Sequence, residues 1–239
     1  MAGGFLAAFS PLLDLFYPPG CAGCGRKLDS AGIVLCESCL AGIVKFPAQG
    51  CPRCGSSVEE DGLVCRLCGG LAGELDKLRS AAWFLGPVPT LIHRFKYQGL
   101  HSLAQFFAEL TYGLEPCREL IEEAEVVVPV PLHPWRKFRR GYNQSEILGR
   151  ALVALTGKEI DPAALVRARA TKSQTRLTPE QRRMNVAGAF RSGKAGSTEG
   201  RTVLLVDDVM TTGATLGACA HALKQAGAKR VLGLTFARA

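Results

Sequence analysis

The chain has 239 residues, of which 47% are hydrophobic and 21% are charged, and its formal net charge is +8. This composition suffices for one α/β domain with a small additional module, and it excludes an intrinsically disordered chain. The charge is uneven, because residues 1–80 carry a net −1 whereas residues 133–194 carry 14 basic and 4 acidic side chains. The basic stretch predicts attraction to polyanions such as phosphorylated small molecules, pyrophosphate or nucleic acid, although a solvated, solubilising face has the same composition.

The N-terminal segment, Met1–Phe16, is apolar but does not have the pattern of an export signal. It lacks a basic start, contains Asp14, and is followed by Tyr17-Pro18-Pro19 in place of a small-residue cleavage site. We therefore expect a short docking helix and a cytoplasmic protein. No uncharged apolar run in the sequence approaches the ~20 residues that a membrane-spanning helix requires.

Eight of the ten cysteines form four Cys-x-x-Cys pairs, with 11 residues between Cys24 and Cys36 and 10 between Cys54 and Cys65. This is an internal repeat of roughly 30 residues, and each repeat supplies four thiolates, the number that a closed, tetrahedral structural zinc site needs. The predicted ligands of two zinc ions are Cys21, Cys24, Cys36, Cys39, Cys51, Cys54, Cys65 and Cys68. Whether the pairs couple sequentially or interleave is left open. The glycines after the second cysteine of three pairs permit a left-handed turn; they are Gly25, Gly55 and Gly69.

Other uses of these cysteines fit less well. A disulfide framework needs an oxidising compartment, iron–sulfur ligands are usually spaced unevenly, and four thiolates leave no open position for a catalytic zinc. Because residues 20–70 hold few large apolar side chains, we expect this segment to need metal in order to fold. Of the two remaining cysteines, Cys219 lies on an apolar helical face and is expected in the core, whereas Cys117 has no evident partner.

Strand-like and helix-like runs alternate beyond residue 76, so we divide the chain into residues 1–76 and 77–239. The predicted strands are Ser80–Leu85, Val126–Val130, Val203–Val206 and Val231–Phe236. The predicted helices are Pro89–Tyr97, Ser102–Leu114, Asn143–Leu155 and Thr215–Ala226. This alternation is typical of a doubly wound parallel sheet, which binds ligands beyond the carboxyl ends of its strands.

Residues 203–215 combine a buried strand, two adjacent acids and a small polar loop that opens a helix. The loop can direct backbone N–H groups and hydroxyls at one anion, and Gly213 permits its close approach. Asp207 and Asp208 are acceptors suited to adjacent sugar hydroxyls. The residues predicted to hold the anion are Thr211, Thr212, Gly213, Ala214 and Thr215.

This motif resembles the phosphoribosyl diphosphate (PRPP) binding motif of type I phosphoribosyltransferases. Together with the cysteine repeat, the chain resembles the ComF family of competence-associated proteins from end to end. The supporting segments are Leu15–Pro19, His93–Tyr97, Val130–Arg136, Arg140–Gln144, Ser173–Thr175 and Arg182–Phe190. The resemblance implies an α/β fold, a type I phosphoribosyltransferase-like parallel sheet with flanking helices, preceded by a double zinc ribbon.

The resemblance also implies roles for individual residues. Asp207 and Asp208 would hold the ribose hydroxyls, residues 211–215 the 5′-phosphate, and Mg²⁺ would accompany the diphosphate. Asp208 is the predicted catalytic residue, a carboxylate placed to stabilise developing positive charge or to take a proton. A basic loop after Val126–Val130 would face pyrophosphate, and a flexible loop at 168–186 would close over the substrate. The cations of these two loops are Arg136, Lys137, Arg139, Arg140, Lys172, Arg176, Arg182 and Arg183.

For function, the resemblance implies a PRPP-binding protein of DNA uptake, with Mg²⁺-dependent phosphoribosyl transfer to an acceptor that the sequence does not identify. The alternative is a non-catalytic module that binds single-stranded DNA, because Trp135, Phe138 and Tyr142 are interleaved with the cations of the basic loop. A third hypothesis treats the near-neutral zinc module as a docking surface for a DNA-translocating helicase.

Overall fold

The computed structural model describes residues 20–28, 33–47, 50–56, 65, 74–169, 178–186, 188–193 and 197–239. The described helices are α1 (Glu37–Ala41), α2 (Val88–Tyr97), α3 (Ser102–Gly113), α4 (Glu115–Glu123), α5 (Pro134–Arg140), α6 (Gln144–Thr156), α7 (Pro179–Val186) and α8 (Ala214–Gln225). The strands are β1 (Lys77–Trp83), β2 (Val126–Pro129), β3 (Glu159–Ile160), β4 (Leu165–Arg167), β5 (Phe190–Ser192), β6 (Thr202–Met210) and β7 (Arg230–Arg238). None of these helices is both long and apolar enough to cross a membrane.

Five strands form one sheet in the order β1-β7-β6-β2-β3, and every neighbouring pair is parallel. The chain leaves β2 towards β3 on one side and leaves β6 towards β7 on the other. The carboxyl ends of β2 and β6 therefore flank the point where the winding direction reverses, which is where open α/β sheets bind ligands. A separate antiparallel ribbon pairs β4 with β5. The parallel sheet with flanking helices confirms the predicted fold class.

The sheet is buried on both faces, and alternate residues of its strands belong to two different cores. Val127 and Leu204 pack on one face with Phe107 and Phe236, whose rings stack at 3.8 Å. Val126, Val128, Val203 and Leu205 pack on the other face with Cys219, which has 0% exposure. Continuous β-branched runs form such strands because both faces exclude water. The prediction that Cys219 is a core residue is confirmed.

Several elements differ from the predictions. β6 continues through Asp207 and Asp208 to Met210, because β7 supplies pairing partners along its whole length, from Asp207 with Thr235 to Met210 with Arg238. Residues 179–186, which were expected to belong to a flexible loop, form α7, and α1, β3, β4 and β5 were not predicted either. Two further helices were not predicted: α4 buries Cys117, and α5 occupies the stretch that was predicted to be a basic loop. Both helices have proline in their first turn, where a missing N–H costs no hydrogen bond.

The cysteine-containing residues pack against the β1 edge of the sheet. Lys45 forms an antiparallel bridge with Ala82, the Phe46 N–H donates to the Ala81 carbonyl at 2.9 Å, and the Trp83 N–H donates to the Val44 carbonyl at 2.8 Å. The N–H and C=O groups on the outer side of an edge strand are available for such hydrogen bonds. The described part of the N-terminal module therefore extends the sheet.

Candidate functional site

A pocket lies at the carboxyl end of β6, where the chain turns into α8. It is lined by Asp207, Val209, Met210, Thr211, Thr212, Gly213, Ala214, Thr215 and Leu216. Gly213 caps the N-terminus of α8 with φ +75°, a left-handed conformation that glycine adopts at little cost. The first residues of α8 and the positive end of its helix dipole thus border the pocket, an arrangement suited to an anion.

The two acids of the motif lie on opposite faces of β6, because neighbouring side chains of a strand alternate. Asp207 lines the pocket and accepts hydrogen bonds from the Ser145 hydroxyl at 2.8 Å and from the Asp208 N–H at 2.9 Å. Asp208 is 2% exposed and does not line the pocket. Its Oδ2 lies 3.0 Å from the Lys96 ammonium group.

The neighbouring charges shift the pKa values of Asp207 and Lys96. Burial, and then the Asp208 carboxylate, raise the pKa of Asp207 to about 7, although Lys96 and the Ser145 hydroxyl act in the opposite direction. Burial disfavours the charged form of Lys96, but the Asp208 and Asp207 carboxylates outweigh it and raise its pKa. The site therefore keeps a cation beside Asp208 and leaves Asp207 able to titrate near neutral pH.

Lys96 was not among the predicted site residues. It belongs to the segment His93–Tyr97, which supported the family resemblance and lies at the end of α2. A lysine in that position has the appearance of an ordinary cation at a helix C-terminus. Only the tertiary structure, which brings the end of α2 close to β6, reveals that the Lys96 ammonium group reaches Asp208.

The cations predicted to face pyrophosphate lie on α5, which follows β2. Lys137 lies 3.6 Å from Glu146, Arg139 stacks over Trp135 at 5.7 Å, and Arg140 stacks over Tyr97 at 5.0 Å and donates to Gln144. The His133 side chain caps this helix by accepting from the Trp135 N–H. The predicted basic loop is thus a helix, and its cations are fixed along one short element.

The charges of Arg136 and of the pocket acid Asp207 both act on Arg167. Burial, and then the charge of Arg136, lower the pKa of Arg167 on β4, whereas Asp207 acts in the opposite direction. Arg167 is 7% exposed and stacks over Phe190 at 5.1 Å. Lys172 and Arg176 lie outside the described residues, and Arg182 and Arg183 lie on α7.

The cysteines gather in two clusters, each with its sulfur atoms within 4.8 Å of one another. The first contains Cys21, Cys24, Cys36 and Cys39; the second contains Cys51, Cys54 and Cys65, whereas Cys68 lies outside the described residues. The Sγ atoms of Cys24 and Cys36 are 3.7 Å apart and those of Cys54 and Cys65 are 3.6 Å apart. Tetrahedral coordination with zinc–sulfur bonds of about 2.3 Å separates sulfurs by about 3.8 Å. The donor sets therefore fit zinc, and the pairs couple sequentially.

The internal repeat is also visible in the backbone. The Cys21 N–H donates to Arg26 and the Gly25 N–H to Cys21; one repeat later, the Cys51 N–H donates to Ser56 and the Gly55 N–H to Cys51. Gly25 and Gly55 have φ of +80° and +71°, which confirms the predicted left-handed turns. The N–H groups of Gly23 and Cys36 donate to Cys21 Sγ at 3.4 and 3.3 Å, as expected around a metal-binding thiolate. None of the described cysteines forms a disulfide.

Comparisons with known proteins agree with both parts of the structure. Residues 12–69 match the double zinc ribbon domain and residues 139–238 match the phosphoribosyl transferase domain. The chain is thus a protein of the phosphoribosyltransferase fold with an N-terminal double zinc ribbon.

Relatives that match most of this chain show the family to which it belongs. Competence protein F of Haemophilus influenzae is 30% identical over 228 residues, which cover 94% of this chain and 99% of that protein. DNA utilization protein YhgH of Escherichia coli strain K12 is 32% identical over 192 residues, covering 76% of this chain and 80% of that protein. Competence protein ComFC of Bacillus subtilis is 27% identical over 203 residues, covering 81% and 79%. The chain belongs to the competence protein F family.

Proposed function

We propose that this protein binds PRPP at the pocket between β6 and α8 and acts in the uptake or use of DNA. One observation carries the proposal: Asp207, the polar loop and the glycine-capped N-terminus of α8 line the same pocket. The proposed process comes from the relatives, which are called competence proteins and DNA utilization proteins.

In this proposal the 5′-phosphate contacts residues 211–215 and the ribose hydroxyls contact Asp207. The diphosphate, accompanied by Mg²⁺, extends towards Arg136 and the other α5 cations, since β2 and β6 are neighbouring strands. Arginine and lysine suit this task because they hold phosphate by bidentate or point-charge contacts. Direct contact of Asp208 with the ribose, and its role as catalytic acid, both require its ion pair with Lys96 to open.

The reaction available to such a site is displacement at ribose C1. The bond from C1 to the diphosphate oxygen breaks, a bond to a nucleophilic acceptor forms, and pyrophosphate leaves with the electron pair. Positioning and charge stabilisation supply most of the rate in reactions of this kind. The acceptor is not identified, so PRPP binding is the core of the proposal and pyrophosphate release decides whether transfer occurs.

The two cysteine clusters complete the proposal as structural zinc sites. Four thiolates per ion close the coordination shell, so zinc would stabilise the fold and take no part in chemistry. Thiols that stay reduced for metal binding also favour a cytoplasmic location.

Titration calorimetry with PRPP and Mg²⁺ tests the proposal. We expect binding by the wild-type protein and loss of at least tenfold in affinity in Asp207→Ala, which removes the carboxylate of the pocket. Glu119→Ala is the matched control, because it removes an exposed carboxylate on α4. Absence of PRPP binding by the folded wild-type protein would refute the proposal. A coupled pyrophosphate assay with candidate bases then separates transfer from binding alone.

A second function, binding of single-stranded DNA along α5, is favoured by one observation. Phe138 is 89% exposed and Trp135 is 61% exposed, an unusual position for large aromatic side chains on a helix rich in cations. Aromatic rings stack on bases while arginine and lysine contact phosphates. Docking to a DNA-translocating helicase remains a prediction from the sequence.

Fluorescence anisotropy with a labelled oligonucleotide tests DNA binding. We expect Phe138→Ala to weaken binding about tenfold or more. Leu85→Ala is the control, since Leu85 is also an exposed apolar side chain, at 57%. Affinity should fall steeply with added salt, because phosphate contacts release counterions. Equal affinities of the two variants, or a flat salt response, would count against α5 as the DNA surface.

A further inference from the structure

The ion pair between Lys96 and Asp208 lies behind the pocket, on the other face of β6. The Nζ to Oδ2 distance is 3.0 Å, and the side chains are 22% and 3% exposed. Burying a carboxylate so deeply is costly unless it has a partner, since water cannot solvate it. Asp208 Oδ1 accepts from the Val209 N–H at 3.0 Å, whereas the buried Oδ2 accepts no hydrogen bond from the described residues and has the ion pair with Lys96 as its partner.

The turn of α2 that carries Lys96 is held from several sides. Phe95 is fully buried, and its carbonyl accepts from the Tyr142 hydroxyl. Arg140 stacks over Tyr97, and the Arg94 guanidinium donates to the Cys21 carbonyl at 3.3 Å. Lys96 therefore reaches Asp208 from a fixed position, contacted by the α5–α6 connection and by the first cysteine cluster.

We infer that Lys96 is a positioning residue, which holds the Asp208 carboxylate on the far face of β6 and thereby keeps Asp207 available to the ligand. Two ionised carboxylates on successive residues repel each other, and a single cation in contact with one of them relieves that repulsion. In the protein without ligand the two acids thus differ: Asp208 is held by Lys96, and Asp207 lines the pocket. This inference rests on the proposed PRPP site.

The groups around Asp207 come from five elements and determine how it responds to pH. They are Asp208 on its own strand, Lys96 on α2, Ser145 on α6, Arg167 on β4 and the fully buried Cys219 on α8. Among these, Lys96 and Asp208 act on Asp207 with opposite signs: the ammonium group favours its ionised form and the carboxylate disfavours it. Removing the Lys96 charge should therefore raise the pKa of Asp207, and removing the Asp208 charge should lower it.

The experiment compares Lys96→Gln, Lys96→Arg and Asp208→Asn with the wild type. Glutamine can still donate to Asp208 but carries no charge, whereas arginine keeps the charge, and asparagine keeps the shape of Asp208. Lys77→Gln is the matched control, because Lys77 forms a 3.2 Å ion pair with Glu123 at the beginning of β1. PRPP affinity in the presence of Mg²⁺ is measured by calorimetry from about pH 5.5 to 9, and the carboxyl ¹³C signal of Asp207 is titrated by NMR without ligand.

We expect Lys96→Gln to weaken PRPP binding at least tenfold near neutral pH and to move the midpoint of the affinity profile up by about one pH unit. Asp208→Asn should move the midpoint down, and Lys96→Arg should restore the wild-type midpoint. A merely structural role of Lys96 would lower stability without these opposite shifts. Asp208→Asn also keeps the inference testable if Lys96→Gln does not fold.

The two readouts separate the inference from the function on which it rests. If the wild type does not bind PRPP, the proposed function fails, whereas the NMR titration still shows whether Lys96 and Asp208 control Asp207. Unchanged Asp207 titrations in folded Lys96→Gln and Asp208→Asn would overturn the inference even if PRPP binds. An affinity loss of the same size in Lys77→Gln would overturn it as well.

Discussion

Replacing Asp207 by asparagine should stabilise the ligand-free protein above neutral pH while it weakens PRPP binding. Asparagine keeps an oxygen that can accept from the Ser145 hydroxyl and the Asp208 N–H, the two hydrogen bonds that Asp207 accepts now. What it removes is a negative charge that lies beside another carboxylate. A site prepared for a ligand commonly carries such a cost in stability.

The magnitude follows from the shift of the Asp207 pKa from 3.8 to about 7, caused by burial and then by Asp208. At 1.36 kcal/mol per pKa unit, the upper limit of the stabilisation is about 4 kcal/mol. Because Asp207 keeps partial contact with solvent in the pocket, we expect about 1–3 kcal/mol. The wild-type protein and the variant are equally stable where Asp207 is protonated in both the folded and unfolded states. The difference grows from about pH 4 to about pH 7 and is constant above, since the raised pKa favours the folded state only at low pH.

Urea unfolding at several pH values measures this difference in the free energy of unfolding. Asp76→Asn serves as the comparison, because there we expect the opposite change in stability. Burial acts against ionisation of Asp76, but the Val231 N–H at 2.7 Å and Lys224 at 3.0 Å outweigh it and lower its pKa. Asp76→Asn should therefore destabilise the protein at neutral pH, and the loss should fade as the pH falls through the lowered pKa of Asp76. If Asp207→Asn is no more stable than the wild type at pH 8, the assigned environment of Asp207 is wrong.

Three further predictions concern the cysteine clusters and the pocket loop. Purified protein should contain about two zinc ions per chain, and Cys24→Ser should contain less zinc, as measured by plasma emission spectrometry. Protein that folds without metal would refute the zinc hypothesis. Arg238→Met should lower the free energy of unfolding by about 1.5–3 kcal/mol, because a buried guanidinium loses its 3.1 Å hydrogen bond to the Cys54 carbonyl. Gly213→Ala should cost about 1 kcal/mol in stability and weaken PRPP binding, because alanine is strained at φ +75°; an unchanged calorimetric affinity would contradict the assigned role of this loop.

The sequence predicts the features that local chemistry determines. Runs such as Val126–Val128 can lie only in a strand buried on both faces, and the Cys-x-x-Cys spacing allows both sulfurs of a pair to reach one metal ion. The turns at Gly25 and Gly55 follow from the same spacing. The parallel sheet and the gathering of the cysteines in metal-binding clusters were thus predictable, whereas the sequence left open which pairs share a cluster. The domain boundary near residue 76 stays a prediction.

Features that depend on distant partners were not predictable in this way. The length of β6 is determined by β7, which pairs with it as far as Met210, and this extension places Asp207 and Asp208 on opposite faces. That both acids hold the ribose of one ligand stays a prediction. Lys96 is 112 positions from Asp208 in the numbering of the chain, so its role appears only when α2 packs against the strand.

The cysteine clusters and the pocket are joined by two arginines of the phosphoribosyltransferase fold. Arg94 donates to the Cys21 carbonyl, two residues before Lys96 contacts Asp208, and Arg238 donates to the Cys54 carbonyl while its strand pairs with Met210 in the pocket wall. Arg238 also stacks over the Phe46 ring at 5.3 Å. Each cluster thus contacts an element that fixes one side of β6. Since both contacts are hydrogen bonds to the backbone of a cysteine, we expect loss of metal from a cluster to disturb the arginine that contacts it.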